Sequence, residues 1–255
     1  MAQDIELDLR GLAKSTSEVY LKYTHQFVAH FGCDIDQLGE AHVHSWLHWL
    51  RAKRLRPATV NLAIAALRHL FATQNRPEVM AGVRCIREPA RPHAAVLSAG
   101  EMHRLLSATT NEKHRAIFLL LYCTGLRISE LLALHVSDID LGRELVRVRG
   151  AKSRVLPLPP FALFVIREHV MSCRSVGPWL FPGRTPGSPM TRVSVSEAIR
   201  SCARAAGITR RVHPHLLRRA FAMHLLELGT DLRSIQALLG VSRHRARLAQ
   251  ATRVW

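Results

Sequence analysis

The 255-residue sequence has no apolar run long enough to cross a bilayer: the longest, Ala116 to Leu126, is too short and is interrupted by Thr124 and Gly125. It has no secretory start either, because MAQDIELDLR is acidic and alternating where a signal peptide is basic and then apolar. Both absences argue against a membrane partner and predict a cytoplasmic protein. No C-x-x-C pair occurs, and the five cysteines (Cys33, Cys85, Cys123, Cys173, Cys202) are odd in number and scattered. That pattern excludes a disulfide framework and leaves reduced, structural thiols. There is no internal repeat and no long low-complexity segment. Acid is also scarce, with 19 Asp and Glu against 36 Lys and Arg, a net charge of +17 spread along the chain. Such a balance points to a polyanion, nucleic acid first, because phosphate neutralisation by Lys and Arg releases condensed counterions.

Residues 1–88 read as a helical domain. One stripe (Val19, Tyr23, Phe27, Phe31) follows cap candidates Ser15 and Thr16 and stops at Gly32; Val43, Trp46, Leu47 and Leu50 form a second; Val60, Ile64, Leu67 and Phe71 form a third after Pro57. Residues 89–96, which overlap the aperiodic stretch EPARPHAA (88–95), read as a linker. A second domain, 97–240, opens with Ser98 and Glu101 at the spacing of a capping box. Helical patterning continues through HRAIFLLLYC, breaks at Thr124-Gly125 and resumes at Ile128. The period then changes: Val146 and Val148 alternate with Arg147 and Arg149, which predicts a β-hairpin over residues 145–158 with Lys152 near its tip. Helices are expected from Phe161, over 195–206, over 217–228 before Gly229, and over 232–239 before Gly240. Residues 241–255 differ in character, with arginines at 243, 245, 247 and 253 and no acidic residue.

Three stretches carry candidate chemistry. In LLYCTGLRISELLAL the Thr-Gly break places Arg127 at a helix start; the hairpin carries Lys152; and in HPHLLRRAFAMHLLELGTDLRSIQALLG, His215 and Arg218 share a helix face near its beginning. Planar guanidinium forks suit the non-bridging oxygens of a phosphodiester, and helix N-termini favour the same anion. Taken singly, each of these residues is an ordinary solvated side chain.

Their ordered combination, T-G-L-R-x-S-E-L, then G-x-K-x-R-x-x-P-L, then H-x-L-R-x-x-F-A-x-H-L-L-x-x-G, resembles the tyrosine recombinase (phage integrase) family, most closely its Xer-like and integron-type bacterial members. The resemblance covers nearly the whole chain up to Gly240. It implies a mainly α fold, with a helical SAM-like core-binding domain followed by a mostly α catalytic domain holding a small antiparallel β-sheet, the DNA breaking-rejoining enzyme fold. It implies double-stranded DNA as partner, strand exchange through a 3′-phosphotyrosyl intermediate, a tetramer on DNA, and no cofactor. It further implies that Arg127 and Arg218 hold the scissile phosphate, that Lys152 protonates the leaving 5′ oxygen, and that His215 handles protons at the nucleophile. Arg68, Arg154 and Arg192 are the candidates for further DNA contacts, and Arg76, Arg84 and Arg87 extend a basic face. A metal site at His42, His44 and His48 is disfavoured, since only His44 and His48 share a helical face and no cysteine or carboxylate cluster joins them. His224 matches a family histidine in a helix interior and reads as packing.

After L-L-G the family continues H-S-x-x-x-T-T-x-x-Y, whereas this sequence has Val241 at the supporting histidine and Gln250 at the tyrosine. Valine donates no hydrogen bond, and a neutral amide is no oxygen nucleophile. The three tyrosines, Tyr20, Tyr23 and Tyr122, read as core residues, and Arg219 stands where a histidine usually follows the second arginine. The change after Gly240 is what a frameshift, a truncation or an engineered end produces, and it also puts synapsis in doubt. The expectation is therefore a site-specific recombinase by descent that binds DNA without cleaving it alone. The alternative is a non-catalytic DNA-binding protein that occupies recombination sites or acts in a mixed complex with an intact recombinase. A generic helical transcription regulator has no need of the four matched residues.

Overall fold

The computed structural model describes residues 11–87, 96–150, 153–172 and 177–241. It divides into two compact units, Met1–Pro92 and His93–Trp255. The expected linker lies largely outside the described residues, as do Lys152, Gln250 and the rest of the basic tail beyond Val241.

Among its described residues the first unit has only helical elements: α1 (Lys14–Phe31), α2 (Glu40–Ala52) and α3 (Pro57–Thr73), with short 3-10 turns at Ile35–Gln37 and Pro77–Met80. Phe27 sits at its centre, fully buried and edge-on to Trp46 and Phe71 at ring separations of 5.3 and 6.1 Å. Each such ring contributes about 1.5–3 kcal/mol by leaving water. Gly32 ends α1 in the left-handed conformation, as its position after the apolar stripe implies. The start differs from the expectation. The N-cap position is Ala13 with no side-chain cap, and Ser15 and Thr16 lie inside the first turn. Arg76 braces the unit, donating to the Ile35 and Leu38 carbonyls at 3.2 and 2.8 Å across the Phe71 ring.

The second unit contains α4 (Ala99–Ser107), α5 (Glu112–Thr124), α6 (Ile128–Leu132), α7 (Pro160–Ser172), α8 (Arg192–Ala205), α9 (Pro214–Glu227) and α10 (Leu232–Leu239). Ser98 and Glu101 close the expected capping box on α4, at 3.2 and 2.9 Å. Helix α5 explains the apolar run in the sequence: every residue from 116 to 121 is buried, because α4, α7, α8 and α9 all pack on it. A helix apolar on all sides is stable only at the centre of a core. The hairpin forms as strands β2 (Leu145–Val148) and β3 (Arg154–Pro157), with Val146 opposite Leu156 and Val148 opposite Arg154. Val146, Val148 and Leu156 face the core while Arg147 and Val155 face out. A two-residue strand, β1 (Ile139–Asp140), adds an antiparallel third member, order β1-β2-β3. The described residues are thus mainly α with one small sheet. Among the described residues no helix is long and apolar enough to cross a membrane.

Candidate phosphate-binding site

The site begins at a glycine. Gly125 ends α5 with φ of +60°, and a Cβ there would lie 2.5 Å from the Phe221 ring and 2.7 Å from Leu239. Only glycine therefore lets α9 and α10 close over the end of α5 while the chain turns into α6. That turn places Arg127 at the N-cap of α6 and Glu130 one turn along, where its carboxylate accepts from the Arg127 backbone N–H at 2.9 Å.

Glu130 then gathers the cations. Its Oε1 accepts from Arg127 Nη1 at 2.8 Å, and Arg154, reaching across from β3, donates to both carboxylate oxygens at 3.2 and 2.9 Å. Arg218 Nη1 lies 3.9 Å from Oε2. Burial alone pushes the Glu130 carboxyl up, but the donors from Arg154 and Arg127 outweigh it and bring the group down to about 2.

The second set of acceptors is the C-terminal end of α10, where helix carbonyls lack intrahelical partners. Arg154 Nε donates to the Leu238 carbonyl at 2.7 Å, Arg218 Nη2 to that of Leu239 at 2.8 Å, and Arg127 Nη2 to that of Gly240 at 3.4 Å. Three guanidinium groups thus meet three successive carbonyls and one carboxylate. Arg218 is buried and also donates to the Gly125 carbonyl at 2.5 Å. Desolvation, with the neighbouring Arg127, draws its guanidinium down to about 10. Arg127, whose side chain is 34 % exposed, holds the longest of the three carbonyl bonds and is the cation best placed to turn outward.

Helix α9 supplies the imidazoles. His213 is its N-cap, Pro214 its first residue and His215 its second; the two rings lie parallel at 6.4 Å. Partial burial and Arg218, helped by His213, Arg219 and Arg127, hold His215 below the ordinary histidine value, and burial with Arg211 and Arg219 does the same to His213. At neutral pH His215 is thus an uncharged imidazole, able to take or give a proton. Arg218 is the fifth residue of α9, one turn in rather than at its tip.

The structure brings Arg127, Arg218 and Arg154 together around Glu130. Sequence reasoning passed over Glu130, although its place three residues after a helix-starting residue is the spacing of a capping carboxylate. Arg192 is exposed at the first turn of α8. Arg68, in the other unit, donates to the Val83 carbonyl at 2.5 Å. Val241 packs with Phe221 and Leu225 against the small cluster of Ala222, Ile235 and Leu239. Tyr20 and Tyr23 belong to the core of the first unit. Tyr122 is half-buried beside Phe221, hydrogen-bonded to His224 Nδ1 at 2.8 Å, its hydroxyl held above the usual phenol value mainly by burial. That bond gives His224 a polar partner as well as a packing place. His42 Nδ1 accepts from the Gly39 N–H at 3.1 Å and His44 lies 3.5 Å from Glu40. Among the described residues no group of three or more His, Cys, Asp or Glu is arranged to hold a metal ion.

The sequence of residues 95–246 matches the model of the phage integrase family, and residues 2–78 match that of the phage integrase N-terminal SAM-like domain. The chain is 38 % identical over 248 residues to the putative integrase/recombinase y4qK of Sinorhizobium fredii, covering 94 % of this chain and 79 % of that protein. It is 34 % identical over 243 residues to tyrosine recombinase XerA of Thermococcus onnurineus, covering 92 % and 84 %. In fold it is similar to the Tn1549 transposon integrase in complex with transposon right end DNA, with a TM-score of 0.76 at 20 % identity over 94 % of this chain and 90 % of that one. A lambda integrase dimer bound to a core site gives 0.71 at 19 % identity, over 91 % and 89 %.

Proposed function

The chain belongs to the phage integrase family of tyrosine recombinases, and from that premise we propose that it binds double-stranded DNA in the cytoplasm and grips one phosphodiester without supplying the nucleophile that would break it. The observation that carries this reading is the convergence of Arg127, Arg154 and Arg218 on a single carboxylate, which leaves the cluster with an excess of positive charge. A phosphate entering there takes donors from Arg127 first, since its bond to the Gly240 carbonyl is the weakest of the set. Arg218 stays fixed by Gly125 and Leu239 and presents what remains of its fork. His215, neutral beforehand, takes up a proton as the anion arrives, and Lys152 is assigned the proton for the leaving 5′ oxygen. The attack itself has no agent in this sequence: Gln250 stands at the tyrosine spacing and Val241 at the supporting histidine.

The test uses nicked suicide duplexes recovered from a random-sequence pool by their affinity for the chain. The expected result is a stable non-covalent complex with no protein–DNA adduct under denaturing electrophoresis. An adduct formed by the pure chain would sink the proposal.

Gln250 at the tyrosine spacing favours a second reading, in which the chain occupies recombination sites or joins a mixed complex and an intact recombinase supplies the tyrosine. Adding such a recombinase to half-sites held by this chain separates the two roles. Cleavage at the held site marks a working partner, and inhibition marks a blocker.

A further inference from the structure

We propose that Arg154 is a positioning residue of this site, fixing Glu130 and the last turn of α10 together and so setting where Arg127 and Arg218 present their guanidinium groups. The inference rests on the phosphate-grip reading above. The sequence alone makes Arg154 a candidate DNA contact, but its side chain is only 10 % exposed and its fork is closed on both Glu130 oxygens. Its remaining edge holds the Leu238 carbonyl at 2.7 Å. Gly240 makes room for it, since a Cβ at that position would lie 3.0 Å from Nη1. To reach a backbone phosphate, Arg154 would have to abandon a partly buried carboxylate, which is strongly unfavourable.

The bonds of Arg154 couple two sets of groups that the other arginines share. By saturating Glu130 it limits how tightly that carboxylate can draw on Arg127 at 2.8 Å and Arg218 at 3.9 Å. By holding Leu238 it fixes the two next carbonyls, Leu239 and Gly240, which Arg218 and Arg127 use. Without Arg154, Glu130 takes more of Arg127 and Arg218 for itself, and fewer N–H groups face an incoming anion. The same loss loosens the point from which the chain leaves α10 towards position 250.

The experiment uses the full chain and two probes: inorganic phosphate, followed through the Nε–H resonances of the arginines, and an arbitrary 30-base-pair duplex, followed by affinity against salt. In the unsubstituted chain phosphate should move the Arg127 and Arg218 signals. Arg154→Gln should weaken phosphate binding by about tenfold, the scale of one misaligned charged hydrogen bond, while the salt slope for the duplex stays unchanged. Arg154→Lys, which keeps the charge but cannot fork, should fall between. Both variants approximate the original side-chain size; thermal melting identifies any that fails to fold, and the other then carries the comparison. Retained phosphate affinity in a folded variant overturns the positioning role and leaves the grip standing. A salt slope reduced by about 1 overturns it differently, by making Arg154 a phosphate contact. If phosphate moves neither Arg127 nor Arg218 in the unsubstituted chain, the grip fails, and the role of Arg154 falls with it.

Discussion

Arg218 donates from Nη2 to the carbonyl of Leu239 at 2.8 Å, joining the first turns of α9 to the last turn of α10. A buried guanidinium is ordinarily expensive, because it loses water on several donors at once. Here the open end of a helix offers partial negative charge and unpaired carbonyls in place of that water. The same arrangement serves Arg127 and Arg154 at the two adjoining residues. A cluster of cations can thus exist before DNA arrives, each already paired within the protein.

Arg218 and Arg127 should separate in a denaturation experiment. Arg218→Ala strips the donors from the Gly125 and Leu239 carbonyls and should lower unfolding stability by about 2–4 kcal/mol, the usual consequence of buried groups left unpaired. Arg127, a third exposed, should lose no more than about 1 kcal/mol on the same change. Both variants should bind duplex DNA more weakly, and Arg127→Ala should reduce the salt slope by about 1. Equal losses of stability from the two substitutions would contradict the burial difference.

Gly125→Ala tests the other end of the Arg218 fork. Its Cβ would meet Phe221 and Leu239 at 2.5–2.8 Å, in a backbone conformation with φ of +60°. Steric overlap and the left-handed backbone together should remove about 3 kcal/mol or more, read as a lower midpoint in urea with an unchanged m-value. Replacement of Phe221 by leucine in the same chain should recover part of the loss.

Glu130 predicts the acid behaviour of the second unit. Its carboxyl titrates at about 2 when folded, against an ordinary 4.5, so the unfolded chain takes up its proton first as pH falls. The stability from this group is therefore complete above about pH 4.5 and disappears as pH falls towards 2. Glu130→Gln should lower stability at neutral pH by about 2–3 kcal/mol, since a partly buried carboxylate partner is removed from its arginines. It should also flatten the stability profile between pH 4.5 and 2. An unchanged acid limb in the variant would assign that limb to other carboxylates.

Much of this architecture is legible in the sequence, and the exceptions have physical causes. Gly32 and Gly240 end helices where the apolar stripes stop, and Ser98 with Glu101 announces α4, because caps are local events between near neighbours. The β2–β3 hairpin is readable for the same reason: its alternation and its turn lie within one short segment. Strand β1 is only two residues long and leaves no alternation to read. Arg127 and Arg218 are visible through their motifs, yet neither motif records that both share the α10 carbonyls, an encounter between residues far apart in the chain. Arg154 shows the limit best. Periodicity marks it as a strand residue with a charge, and only the fold decides whether that charge faces DNA or Glu130.

His215 makes the phosphate grip sensitive to pH. Its imidazole is held below 6.5 by partial burial and by Arg218, His213, Arg219 and Arg127, so the free protein presents it uncharged at neutral pH. A bound phosphate reverses that balance, because an anion favours the imidazolium. Binding at the phosphate site must then take up a proton, and affinity should rise as pH falls from 7 towards the folded value, levelling off below it. His213 is depressed by burial, Arg211 and Arg219 and adds to the same trend, so each histidine needs its own variant. Calorimetry with dimethyl phosphate, a diester whose single charge does not titrate in this range, in buffers of different ionisation enthalpy, measures the proton directly. His215→Gln should abolish most of the uptake and His213→Gln a smaller part. Uptake that survives both substitutions would place the titrating group elsewhere and remove His215 from the proton chemistry of the site.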